Sequence, residues 1–188
     1  MFQIMVTLPN PHAILTSLVI MGALSSGLAQ AADHGLYDLQ PCPDSLAVEG
    51  GAEPTKKWDL TLSPYTFHWS GPSPEHKPVK LVALDRHIQG KRFCGLALFT
   101  NSFGQPSAYG YVGQQWDNIF GNPKVFTKVS AGFIYGYKGK HKDAIAFNAS
   151  GIAPAIIPSL GYTFSPKESA QVFMLGTAGL TFAYVRGF

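Results

Sequence analysis

From Trp58 onward the chain never accumulates the roughly 18 consecutive apolar residues that a membrane-spanning helix needs. It breaks instead into runs of about ten residues, each closed by turn-forming residues. The runs are Trp58–Trp69, Val79–Ile88, Arg92–Thr100, Ala108–Trp116, Val125–Tyr137, Ile152–Phe164, Ala170–Leu175 and Leu180–Phe188, eight in all. An even number of strand-length segments is what an antiparallel barrel requires if it is to close without an edge. In the fifth run, Val125, Thr127, Val129, Ala131, Phe133, Tyr135 and Tyr137 share one parity. The other parity carries Lys128, Ser130, Gly132, Gly136 and Lys138, broken by Phe126 and Ile134. One face suits hydrocarbon, with tyrosines at its end, and the other is mostly small or polar.

Composition decides between solvents for such a barrel. Charged residues make up 13% of the chain, against about a quarter in soluble domains. Aromatics also reach 13%, with 20 Gly and 14 Pro. A soluble sandwich or lipocalin-like barrel would alternate too. Sparse charge, tyrosine-rich strand ends and the terminal Phe188 favour an all-β, eight-stranded antiparallel up-and-down transmembrane β-barrel over residues 58–188. In the last run Leu180, Phe182 and Tyr184 share the parity of Phe188, resembling the assembly signal of bacterial outer-membrane barrels, with Arg186 interrupting the stripe. The net charge of +3 and the absence of an aromatic-basic motif argue against nucleic acid.

Residues 1–31 read as a secretory signal peptide, because the apolar stretch Ala13–Leu28 ends in the small-x-small Ala29-Gln30-Ala31. Residues 32–57, rich in Pro and Gly, read as a periplasmic leader. Export makes a disulfide possible. Cys94, however, reads as a small hydrophobe in a strand and Cys42 as part of a loose segment, so two unpaired thiols are expected. No Cys/His spacing suggests zinc.

With both barrel termini periplasmic, the outward loops are 70–78, 101–107, 138–151 and 176–179, and the inward turns lie near 89–91, 117–124 and 165–167. His68, Asn101, Ser102 and the basic loop bearing Lys138, Lys140 and Lys142 then meet at the outer rim, where His76, Glu75 and His141 are rival groups. The Asn101-Ser102 pair before Gly104 is also ordinary turn chemistry, and the lysines are equally a solvated loop. In a regular strand Asn101 and Ser102 would point to opposite faces, so both reach one site only if the strand has already turned. In the first run the polar parity switches at Pro64, which a β-bulge would correct. Pro154 and Pro158 mark a second weakened ladder. Such gaps could admit a lipid chain sideways. Eight strands leave room for one slim ligand, and Gly95, Ala97, Ser130, Gly132 and Gly136 are the expected slot lining.

Taken together, the proline followed by Thr66-Phe67-His68, the Asn101-Ser102 pair with the later Tyr109-Gly110-Tyr111, "PAIIPSLGY" and "FAYVRGF" resemble the lipid A palmitoyltransferase family of outer-membrane barrels. The resemblance covers about Trp58 to Phe188. It implies a palmitoyl-type chain transferred from phospholipid to lipid A in the bacterial outer membrane. It also implies His68 as general base, Ser102 as a hydroxyl that positions the acyl carbonyl, and no metal or organic cofactor. The family's Asp is replaced by Asn101, which would orient His68 or donate to the oxyanion. Leu175 stands near an expected proline, and Pro41, Pro43 and Pro54 interrupt the family's amino-terminal helix. The expected partners are phospholipid, lipid A and the barrel-assembly machinery, with the barrel a monomer. The alternative is a non-catalytic barrel that binds lipid or passes a small solute.

Overall fold

The computed structural model describes residues 39–71 and 76–188. The expected signal peptide lies outside them. Eight strands, β1 (Trp58–His68), β2 (Leu81–Ile88), β3 (Arg92–Thr100), β4 (Pro106–Asp117), β5 (Val125–Tyr135), β6 (Ile152–Ser165), β7 (Glu168–Met174) and β8 (Gly179–Gly187), each pair with their sequence neighbours. β8 closes back onto β1, so the sheet is an antiparallel up-and-down barrel without an edge. This is the expected fold, with strand bounds moved by a few residues at most. The segments 69–71 and 76–80 and the loops 101–105, 136–151 and 175–178 gather at one end, here the loop end. The short turns and both barrel termini gather at the other, the terminal end.

The alternation sorts the side chains. Leu62, Val82, Leu96, Leu98, Phe133, Ile156 and Leu160 stand exposed on the outer wall. Exposed aromatics flank this band, with Tyr65, Phe67, Trp69 and Tyr135 toward the loop end and Trp116, Tyr162, Phe164 and Tyr184 toward the terminal end. A continuous apolar outer surface between two aromatic girdles is the architecture of a membrane-embedded barrel. Arg186, which interrupts the outer stripe of β8, pairs with Glu168 Oε1 at 2.9 Å, and Tyr184 donates to the same oxygen at 2.7 Å.

The β1–β8 register slips between Leu62 and Tyr65, placing a bulge at Pro64. The bulge returns Thr66 and His68 to the face that already carries Asp59, Thr61 and Ser63, as the parity switch required. Thr66 Oγ1 then meets Thr181 Oγ1 at 2.8 Å. Beyond Ser63, β1 has no ladder to β2. The β6–β7 ladder likewise begins only at Ser159, so residues 152–158, with Pro154 and Pro158, pair with β5 alone. Both gaps face the loop end.

Residues 40–57 correct the expectation of a loose leader with free thiols. Cys42 is disulfide-bonded to Cys94, on the outward parity of β3, with Cα atoms 5.5 Å apart. The missing signal was three-dimensional, because the leader folds up along the outer wall and brings Cys42 beside the strand. Arg92 Nη1 donates to the Leu46 carbonyl at 3.1 Å, Gly90 N to Ala52 O at 3.1 Å and His87 N to Lys57 O at 2.8 Å. Gly90 has φ +75°, and a side chain there would strike Val48.

The purified oxidised protein is therefore expected to carry no alkylatable thiol. Cys42→Ser should lower its unfolding free energy in detergent by about 2–4 kcal/mol, measured by denaturant titration. The protein should also stay with membranes after an alkaline wash and leave them only in detergent.

Candidate functional site

The barrel encloses a cavity of about 330 Å³ running inward from the loop end. Its walls are Ala83, Ala97, Tyr109, Ile134 and Ala155, with Leu81, Phe99 and Ile157 beside them. Ile145, from the 136–151 loop, folds over the mouth and packs on the same cluster. Asn148 ties that loop down, donating to the Tyr137 and Lys142 carbonyls at 2.9 Å each.

His68 and Ser102 meet at the mouth, His68 Nε2 lying 2.7 Å from Ser102 Oγ. They come from the end of β1 and from the loop after β3, and both line the cavity. A ring nitrogen at hydrogen-bonding distance from a hydroxyl can pass a proton to or from it. Because β3 ends at Thr100, the strand has already turned at Asn101, as the parity argument required. His76 stacks on His68 with centroids 4.5 Å apart, Phe103 lies 6.1 Å from His76, and Phe103 stacks on His141 at 3.9 Å. The mouth is thus collared by aromatic and imidazole rings. Tyr137 also lines it, and burial pushes its phenol up, which keeps it a neutral O–H donor. Glu75 falls outside the described residues.

Asn101 takes a different place from the one expected. It is 1% exposed. Its Oδ1 accepts from Phe103 N and Gln105 N at 3.0 Å each, and its Nδ2 donates to Ser107 Oγ at 3.2 Å and to Gln105 Oε1 at 3.4 Å. An amide has two donors and two acceptor sites, and all four are used within its own loop. It neither orients His68 nor has a donor left for an oxyanion. Its work is to hold the turn that presents Ser102. Among the described residues no carboxylate bonds His68.

The expected slot lining divides. Ala97 and Ser130 line the cavity. The three glycines permit close approaches instead. A Cβ at Gly95 would collide with the Tyr111 ring, one at Gly132 with the Gly110 carbonyl oxygen, and one at Gly136 with Ser107 Oγ. Of the three prolines, Pro154 borders the cavity, and so does its outward neighbour Ile156, which is 72% exposed on the outer wall. The cavity lining thus runs over to outward-parity residues beside the stretch 152–158, where the β6–β7 ladder is missing. Lys138, Lys140 and Lys142 are exposed on the loop above, and Lys138 Nζ lies over the Tyr135 ring, 4.1 Å from its centroid.

A buried ionic cluster, unforeseen from sequence, closes the bottom of the cavity. Asp59 Oδ2 accepts from His87 Nε2 at 2.8 Å and from Lys128 Nζ at 3.1 Å, while Lys56 Nζ reaches Asp59 Oδ1 at 2.7 Å. Lys128 also lies 3.4 Å from Asp85 Oδ2, and Tyr111 donates to Asp85 Oδ1 at 2.5 Å. The ammonium occupies the space between Asp59 and Asp85 that a cation would need, so the group Asp59, Asp85 and His87 is already neutralised by a side chain. Inward parity of Asp59, Asp85 and Lys128 was the available clue, but their cross-barrel pairing was not readable.

No protein-family model matches the chain, and no curated protein matches it. Among solved structures, a barrel from "De novo design of transmembrane beta-barrels" is similar, with a TM-score of 0.54. The match spans 73% of this chain and 100% of the designed one at 13% identity. At that identity the likeness concerns the fold alone.

Lys128→Met, which strips Asp59 and Asp85 of their shared cation, should cost about 3–5 kcal/mol of stability. Adding Asp85→Asn should recover part of that loss in the same urea titration. Asn101→Ala should cost about 1–3 kcal/mol by orphaning the Phe103 and Gln105 amides, with proteolysis of the 101–105 loop as the readout.

Proposed function

We propose that this barrel is an acyltransferase of the bacterial outer membrane that moves a palmitoyl-type chain from a phospholipid to lipid A. The observation that carries the reading is one cavity, apolar within, bordered along its side by the unpaired stretch of β6 and at its mouth by the His68–Ser102 pair, so that an acyl chain would enter through the β6–β7 gap. A straight acyl chain fits such a slot, and its ester would then rest near the rim. His68 Nε2 takes the proton from the acceptor hydroxyl as its oxygen attacks the ester carbonyl. Ser102 Oγ–H, released from Nε2 as the acceptor hydroxyl takes its place there, turns to donate to that carbonyl oxygen. The carbon–oxygen bond to the glycerol breaks, the new ester forms, and the proton passes to the leaving alkoxide, leaving a lysophospholipid. Lys138, Lys140 and Lys142, exposed on the loop above the mouth, would hold lipid A phosphates by charge-assisted contacts. Outer-membrane location, signal cleavage and the palmitoyltransferase resemblance belong to this proposal.

The second reading is a non-catalytic barrel that holds lipid. It is favoured by the commitment of Asn101 to its own turn and by His68 having no carboxylate partner among the described residues. Passage of a small solute is disfavoured by the ionic cluster across the floor.

Expression in a host lacking lipid A palmitoylation separates the two. Lipid A mass should rise by one palmitate-sized increment. His68→Ala and Ser102→Ala should each reduce that product by about two orders of magnitude or more, with barrel folding intact by heat-modifiable gel mobility. A folded wild-type barrel that adds no mass overturns the enzyme reading.

A further inference from the structure

An ester carbonyl under attack gathers negative charge on its oxygen, and convergent hydrogen-bond donors are what hold that charge in acyl transfer. Ser102 Oγ–H supplies one such donor. Asn101 beside it cannot supply another, because its two N–H groups are committed to Ser107 Oγ and Gln105 Oε1. Lys138, Lys140 and Lys142 lie exposed on the loop above. A second donor at the mouth has to be a neutral side chain that faces the cavity and is engaged with nothing else.

Tyr137 is such a group. It follows the end of β5 and lines the cavity together with His68 and Ser102. Its ring packs on the cluster of Ala83, Ala97, Tyr109 and Ile134. It also meets Phe103, the neighbour of Ser102, edge-on with centroids 6.3 Å apart. The other tyrosines that line the cavity are engaged, Tyr109 O–H lying 3.2 Å from Ser130 Oγ and Tyr111 donating to Asp85. The Tyr137 O–H has no hydrogen-bond partner among the described residues, and burial alone pushes its phenol up. The backbone fixes the ring at this place. Tyr137 has φ +52°, a left-handed conformation that a bulky residue keeps only when its surroundings impose it. Gln105 clasps the next residue, its Oε1 accepting from Lys138 N at 2.9 Å and its Nε2 donating to Lys138 O at 3.0 Å. Asn148 donates to the Tyr137 carbonyl at 2.9 Å. Because Gln105 belongs to the turn that Asn101 organises, one amide network holds both Ser102 and Tyr137, although they come from different loops.

We infer that Tyr137 is a further catalytic residue, its phenolic O–H donating with Ser102 to the ester carbonyl oxygen and holding the negative charge of the tetrahedral intermediate. The inference rests on the acyl-transfer reading. No proton changes hands at Tyr137. As the acceptor oxygen attacks, the carbonyl π pair moves onto the carbonyl oxygen and the hydrogen bond to Tyr137 strengthens. When that pair returns, the carbon–oxygen bond to the glycerol breaks and the hydrogen bond relaxes. A donor kept neutral by burial suits this task, since it stabilises the charge without giving up its proton.

Tyr137→Phe keeps the ring and its packing and removes only the O–H. With the full chain in a non-ionic detergent, a phospholipid donor and lipid A, kcat should fall about a hundredfold or more, while KM changes by about twofold or less. Binding is read apart from turnover by native mass spectrometry with two probes of matched chain. One is methyl palmitate, and the other is the monomethyl ester of pentadecylphosphonic acid, whose tetrahedral anion resembles the intermediate. Tyr137→Phe should weaken retention of the phosphonate about tenfold or more and leave methyl palmitate unchanged. Full turnover by the folded variant, equal phosphonate retention in the two proteins, or no phosphonate retention by the wild type overturns the inference. A wild type that transfers nothing, yet holds the phosphonate through the Tyr137 O–H, removes the acyl-transfer reading and upholds Tyr137 as the donor.

Discussion

Within hydrocarbon a backbone N–H or C=O has no water to turn to, so a sheet must close on itself. The eight ladders of this barrel obey that rule almost everywhere, and the exceptions are the informative places. Pro64, Pro154 and Pro158 lack an N–H to leave unsatisfied. They stand where β1 leaves β2 and where β6 leaves β7. A gap between strands is least costly where one partner has no donor to lose. The β6–β7 gap also borders the interior cavity, through Pro154 and Ile156. The same constraint that seals the cylinder therefore determines where it can open.

The interior divides along its length. The loop half is apolar and hollow, while the terminal half is filled by Phe93, Tyr111 and the cluster of Asp59, Asp85, His87 and Lys128. Burying four ionisable groups is expensive unless each charge finds an opposite one. Here the carboxylates share Lys128, and Lys56 and Tyr111 take the remaining oxygens. Small residues leave the upper space empty, and a cross-linked ionic layer prevents it from running through. The result is a blind slot instead of a pore.

Much of this was legible in the chain because strand alternation has a period of two and proline has one structural meaning. The eight runs, the bulge at Pro64 and the meeting of His68 with Ser102 follow from those rules together with the loop order. Asn101 could not be read in the same way. Its residue type suits a turn and an orienting role equally, and only the positions of Phe103, Gln105 and Ser107 show that its hydrogen bonds are spent on the turn. The glycines misled for a related reason. A missing side chain signals room, but whether that room is cavity or is taken by a neighbouring ring, as Tyr111 takes it at Gly95, depends on the facing strand.

Residue order alone was enough for the strand count, the inward and outward faces, the sites of ladder failure and the gathering of His68 and Ser102 at one end, because each is written in local periodicity or in proline chemistry. It took the closed cylinder to bring Cys42 to Cys94, to set Lys128 between Asp59 and Asp85, and to bury Arg86 beside Trp58 without an acceptor. Those pairings join residues tens of positions apart across a curved wall. Their distances follow from how the cylinder closes and where the leader lies, which no local pattern encodes.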